Sequence, residues 1–172
     1  PSIDGMDTFK GESYHTGLWP HEPVDFKGKR VAVIGTGASG VQLIQTIAKN
    51  VDHLTVFQRR PNWCSPLHNS KIDVQEMASI RARYDEIFAA CNQTDGRFLH
   101  VPDPRKATET TPDEREALFE KLYNTPGFAI WLANFYDTFL DKKANAMLTD
   151  FVARKIRERV RDPEIAKKLI PT

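Results

Sequence analysis

Six consecutive residues, Gly35-Thr36-Gly37-Ala38-Ser39-Gly40, have the types and spacing to cradle a phosphate. They match G-x-G-x-x-G, a weak signal alone that gains force from its flanks. An apolar run ends at Ile34, and amphipathic helical spacing begins around Ser39. In that setting Gly35 permits a tight turn, Gly37 lets backbone approach a pyrophosphate, and Gly40 allows close packing of helix on strand. The first-turn N–H groups and the positive end of the helix dipole then face the phosphates. The competing reading is a tight turn that binds nothing. A second chemical signal follows at Gln58-Arg59-Arg60, where an NAD site would normally carry an Asp or Glu for the ribose hydroxyls. Two guanidinium groups there suit a 2′-phosphate, to which they can make charge-assisted bonds. They favour NADPH over NADH and argue against FAD at this turn, the alternative being a solvated surface pair.

Three textures along the chain must position these residues. Residues 1–27 are rich in Gly, Pro and His, lack periodicity and read as an extended linker. Residues 28–63 open with Arg30-Val31-Ala32-Val33-Ile34, a β-branched apolar run suited to a buried parallel strand. Val41 to Asn50 is apolar at helical spacing, and His53 to Phe57 is a second strand. Strand, glycine turn, helix and strand form the front half of a nucleotide-binding unit.

Residues 64–172 predict helix almost throughout. Ile72, Met77, Ile80, Tyr84, Ile87, Phe88 and Cys91 fall on one helical face. Thr111-Pro112-Asp113-Glu114 predicts a helix start, with Thr111 as N-cap and Glu114 closing a capping box. Phe128, Trp131, Leu132, Phe135, Tyr136, Phe139 and Leu140 predict a dense aromatic helix, either core or a face for another domain. Ala144 to Val160 predicts a further helix, and Asp162-Pro163 caps a last short one. Arg97 to Thr110, with two prolines and many charges, predicts a surface loop. The fold class is therefore α/β: a partial Rossmann-like dinucleotide-binding unit followed by a mostly α-helical region.

The composition excludes several classes. A formal charge of +1 over 172 residues offers no concentrated basic face for nucleic acid. No apolar run approaches the roughly 20 residues that span a bilayer. Cys64 and Cys91 fit no metal or redox spacing and are expected to be buried, reduced thiols of a cytoplasmic protein. His21, His53, His68 and His100 show no ligand spacing, and no metal site is expected. The chain starts at Pro1 and ends at Thr172 without a closing element, so it is expected to be a piece of a longer polypeptide.

One stretch remains. Phe9, Gly11, His15, Trp19 and Pro20 spell F-x-G-x-x-x-H-x-x-x-W-P just ahead of the glycine-rich unit. Five such identities at fixed spacing arise by chance in roughly one in 10^5 chains of this length. The pattern resembles the fingerprint of the Baeyer–Villiger monooxygenases, flavoenzymes that use NADPH and dioxygen to insert oxygen beside a ketone carbonyl. Val24 to Gln42 looks like that family's NADP-binding turn, and Leu54 to Trp63 like the strand and basic turn after it. The helical remainder resembles, more loosely, the family's insertion within its NADP domain.

The resemblance implies that Gly35, Thr36, Gly37, Ala38, Ser39, Gly40, Val41 and Gln42 hold the pyrophosphate. It implies that Arg59 and Arg60 hold the 2′-phosphate, Arg59 first, since many members carry Thr or Ser at the position of Arg60. It gives His15 a linker role that couples domain movement to turnover, where spacing alone reads it as a packed histidine. FAD would be bound mainly by segments outside this chain, and the active-site arginine would follow it. No catalytic residue is expected within the chain, which alone would be inactive; ketone and O2 would be the parent's substrates, and the FAD domain its missing partner. Two other readings compete: a fragment of an N- or S-oxidising flavin monooxygenase, and a non-catalytic helical interaction module with a degenerate nucleotide fold.

Overall fold

Short, mainly apolar runs with β-branched residues at their centres explain why Arg30–Ile34 (β1) and His53–Phe57 (β2) form strands. The structure, a computed structural model, describes residues 3–171; the first two positions of the 1–27 linker and the last of the 64–172 region lie outside them. β1 and β2 pair in parallel, with Arg30 opposite His53 and Ile34 opposite Phe57. Between them runs α1 (Ala38–Ile47). It starts three residues before the expected Val41 and ends three before Asn50, because Gly37 opens the helix and Asn50 N–H closes a turn on Ile47 O at 2.8 Å. Val33 and Ile47 are the buried apolar contacts of this part, 7% and 4% exposed.

The chain divides into two compact units between Asn62 and Trp63. The second contains α2 (Val74–Ala82), α3 (Tyr84–Asn92), α4 (Pro112–Tyr123), α5 (Ala129–Leu132), α6 (Lys142–Arg159) and α7 (Pro163–Leu169). Seven α-helices and a small parallel sheet therefore make up the described residues, a mixed α/β chain. Three starts follow from side-chain caps. Thr111 and Glu114 form the capping box of α4, Asp141 accepts from Lys143 and Ala144 N–H at α6, and Asp162 does the same for α7. The core of this unit gathers on Phe119 and Tyr123 of α4 and Leu148, Phe151 and Val152 of α6, with Ile130 and Phe135 between.

Several expectations are corrected by the structure. Residues 72–91 do not form one continuous face: α2 ends at Ala82 and α3 begins at Tyr84, with Arg83 outside the helical region at φ −114°, ψ 16°. The aromatic stretch 128–140 is not one helix. It holds the single turn α5 and a 3-10 turn at Tyr136–Phe139, separated by an extended Phe135. Long-range bonds defeat the helical periodicity: Asp103 N–H donates to Asn134 O and Tyr136 N–H to Asp103 O, both at 3.0 Å. The Asn134 side chain adds local support, donating to Ile130 O and accepting from Phe135 N–H.

For the same reason, Arg97–Thr110 is more than a surface loop. Ala107 is fully buried, and its N–H donates to the buried Asp137 carboxylate at 2.8 Å, with Thr108 Oγ1 on the other oxygen at 3.3 Å. Residues 64–73 and the remainder of 93–111 also carry little regular structure, so the region is less helical than its periodicity suggests. The thiols differ from expectation too: both are free, but Cys64 is exposed and Cys91 half-buried. Among the described residues no helix is long and apolar enough to cross a membrane.

Candidate dinucleotide site

Gly35 follows β1 at φ +98°, a left-handed conformation that only glycine adopts without strain. Its N–H donates to Phe57 O at 2.8 Å, which ties the glycine loop to the end of β2. Gly37 is the N-cap of α1 and offers no side-chain cap to the first-turn amides, which lack intrahelical acceptors. A Cβ at Gly37 would meet nothing within 4 Å, so the backbone there faces open space that a ligand can approach. At Gly40 the case is opposite: a Cβ would lie 2.6 Å from Gly35 O. The helix thus packs against the turn at a distance that only glycine allows.

Gly40→Ala is accordingly expected to destabilise the protein by about 1–3 kcal/mol, the range for overpacking against unyielding atoms. Gly37→Ala places its methyl group in the open space of the cradle and avoids that clash. Denaturant titration of both variants checks the contrast, and equal losses would mean that the Gly35–Gly40 contact relaxes.

Arg59 and Arg60 lie in the turn after β2, both exposed. Arg60 O accepts from Thr36 Oγ1 at 3.4 Å, so the arginine turn and the glycine loop are neighbours. Asn62 completes the connection, its Nδ2 donating to Thr36 O at 2.6 Å. Sequence reasoning gave Asn62 no role. Ala38, Ser39, Val41 and Gln42 form the first turns of α1, and Gln42 O accepts from Thr46 Oγ1 at 2.7 Å.

The histidine and aromatic stretch ahead of β1 is held by its own contacts. Phe9 lies over Gly11, where a Cβ would come within 2.5 Å of the ring. His15 caps the 3-10 turn Thr16–Leu18, with Nδ1 accepting from Gly17 N–H at 3.1 Å. The imidazole is exposed, so the packed histidine expected from spacing alone is not found. Trp19 stands between Tyr14 and Phe26, with ring centroids 5.7 and 6.1 Å away, and Pro20 follows it. Glu12 pairs with Lys29, one residue before β1. The hydrogen bond from Lys29, then its charge, holds the Glu12 carboxyl below its ordinary range; the same hydrogen bond raises Lys29. Among the described residues no group of His, Cys, Asp and Glu is placed to hold a metal.

The family model for flavin-binding monooxygenase-like proteins matches residues 1–84. The 2-oxo-Δ3-4,5,5-trimethylcyclopentenylacetyl-CoA monooxygenase of Pseudomonas putida is 51% identical over 99% of this chain and 32% of its own length. The cyclopentanone 1,2-monooxygenase of a Comamonas species is 41% identical over 99% of the chain and 31% of its own length. The crystal structure of OTEMO in complex with FAD and NADP superposes on all of this chain with a TM-score of 0.95 at 51% identity. The chain belongs to the Baeyer–Villiger monooxygenase family. Residues 85–172 lie beyond the family model but within these alignments. The helical unit is therefore Baeyer–Villiger monooxygenase sequence as much as the glycine loop is. The chain spans about a third of the length of these relatives.

Proposed function

We propose that the chain is the NADPH-binding portion of a flavin-dependent Baeyer–Villiger monooxygenase that converts ketones to esters or lactones with FAD, NADPH and O2. The observation that carries this reading is a glycine loop, open at Gly37, tied by backbone hydrogen bonding to a turn with two exposed arginines. The cradle fits a dinucleotide: Gly35 to Gln42 would hold the pyrophosphate at the N-terminus of α1, and Arg59, with Arg60, the 2′-phosphate. Residues 28–63 form the first half of a Rossmann-like NADPH domain, residues 1–27 the fingerprint linker and residues 64–172 the helical insertion. Bound NADPH supplies hydride equivalents, and FAD, held mainly by other segments of the polypeptide, supplies the oxygen chemistry. This chain's share is to grip and orient NADPH. The relatives' reactions on cyclic ketones favour a ketone substrate, and a cytoplasmic setting suits the cofactors.

The full-length protein, given cyclopentanone, NADPH and O2, is expected to form one lactone and one water per NADPH oxidised. Oxidation of amines or sulfides without lactone formation would favour the N- or S-oxidising reading. Failure of NADP+ to bind at all would favour the interaction module.

His15 sharpens the linker assignment. Its imidazole is exposed and makes one local hydrogen bond, so His15→Ala is expected to cost no more than about 1 kcal/mol in stability. NADPH-dependent turnover of the full-length variant should nevertheless slow, because linker residues act through domain positioning. Melting temperature and single-turnover flavin reduction on one sample separate the outcomes. A depressed melting temperature with unchanged rates would return His15 to a structural role.

A further inference from the structure

We infer that Asn62 is a positioning residue for cofactor discrimination, which holds the Arg59-Arg60 turn in register with the glycine loop. The inference rests on the NADPH reading above. The turn is fastened to that loop at both ends. At its start Phe57 O accepts from Gly35 N–H at 2.8 Å, and at its end Asn62 Nδ2 donates to Thr36 O at 2.6 Å. Thr36 Oγ1, donating to Arg60 O at 3.4 Å, makes a weaker contact between the two.

The chemistry of the Asn62 bond is unambiguous, because Thr36 O can only accept and the amide nitrogen must face it. The bond also acts in one direction. The glycine loop is fixed independently, by β1 before it, by the Gly35–Phe57 bond and by the close packing of Gly40 on Gly35 O. Residues 59–61 lie beyond the strand pairing. The strand ladder ends at the pairing of Ile34 with Phe57, and Pro61 has no N–H to contribute. Asn62 therefore sets where the turn sits, not where the loop sits.

That asymmetry predicts which ligand feels its loss. NAD+ engages the pyrophosphate loop and has no group for the arginines. NADP+ must satisfy the loop and the arginine turn at once, so it depends on the spacing between them. Freeing the far end of the turn leaves the charge of Arg59 in place but no longer at a fixed distance from Thr36.

The experiment measures dissociation constants of NADP+ and NAD+ for the oxidised full-length enzyme, where no turnover intervenes. The variants are Asn62→Ala, Arg59→Ala and the double substitution, with a melting temperature for each. Asn62→Ala is expected to weaken NADP+ about 3- to 10-fold, the span of one net hydrogen bond, while NAD+ changes less than about twofold. The double variant should discriminate no worse than Arg59→Ala alone, since Asn62 acts through that turn. Equal weakening of both dinucleotides by Asn62→Ala, or additive losses in the double variant, would overturn the inference. So would an unchanged NADP+ preference in Asn62→Ala while Arg59→Ala loses it, an outcome that leaves the binding site itself standing. If Arg59→Ala leaves NADP+ binding intact, the NADPH reading fails first and the role of Asn62 falls with it.

Discussion

Arg59→Ala in the full-length enzyme is expected to weaken NADPH by about 1.5–3 kcal/mol, the usual worth of a hydrogen bond to a charged group. That corresponds to roughly a 10- to 150-fold rise in dissociation constant. NADH should barely change. The side chain is exposed in the turn after β2, so removing it leaves no buried group without a partner and little packing is lost. Its effect should therefore appear in binding and not in melting temperature. The salt dependence points the same way: a contact between exposed guanidinium and phosphate weakens as ionic strength rises, and the variant should lose that slope. Direct titration with both dinucleotides at two salt concentrations is the check. Equal losses for NADPH and NADH would show that Arg59 shapes the turn and does not touch the 2′-phosphate.

The second large effect concerns stability. Phe119 is 3% exposed, with its ring 5.9 Å from Phe135 and 5.3 Å from Phe151. It joins α4 to α6 and to the extended residue between the two aromatic turns. Phe119→Ala is expected to cost about 3–5 kcal/mol, the transfer term plus the cavity left among rings that cannot all collapse inward. Against total domain stabilities of about 5–15 kcal/mol, this could leave the helical unit barely folded. Chemical denaturation with a near-ultraviolet aromatic signal measures it. A loss below about 1 kcal/mol would mean that the surrounding rings repack.

The parts of the fold that were legible in sequence are those decided by neighbours in the chain. Arg30–Ile34 and His53–Phe57 are strands because short β-branched runs bounded by turn residues have few alternatives. Thr111 and Glu114 announce a helix start because both partners of the capping box lie within four residues. Gly35 and Gly40 were legible for the same reason, the first required by its left-handed φ and the second by its close approach to Gly35 O within the turn itself. Residues 128–140 misled because their helical spacing competes with hydrogen bonds from Asp103 and Ala107, roughly thirty residues away, which periodicity cannot register. Asn62 was silent on similar grounds. Its amide matters only because the turn brings it onto Thr36, and a lone Asn after a proline carries no sign of that approach.

The stretch from Asp103 to Ala107 has the composition of a segment that tolerates insertions and deletions, with Pro104, Arg105 and Lys106 exposed or half-buried at its centre. Its two ends forbid that freedom. Asp103 exchanges backbone hydrogen bonds with Asn134 and Tyr136, while the Ala107 amide meets Asp137. The span between anchors is thus matched to the span between Phe135 and Asp137. One residue added or removed would release one anchor or the other, stranding either the carbonyl of buried Asn134 or the buried Asp137 carboxylate. Drift among homologues along this strap should proceed by substitution at constant length, with a small side chain kept at the fully buried Ala107.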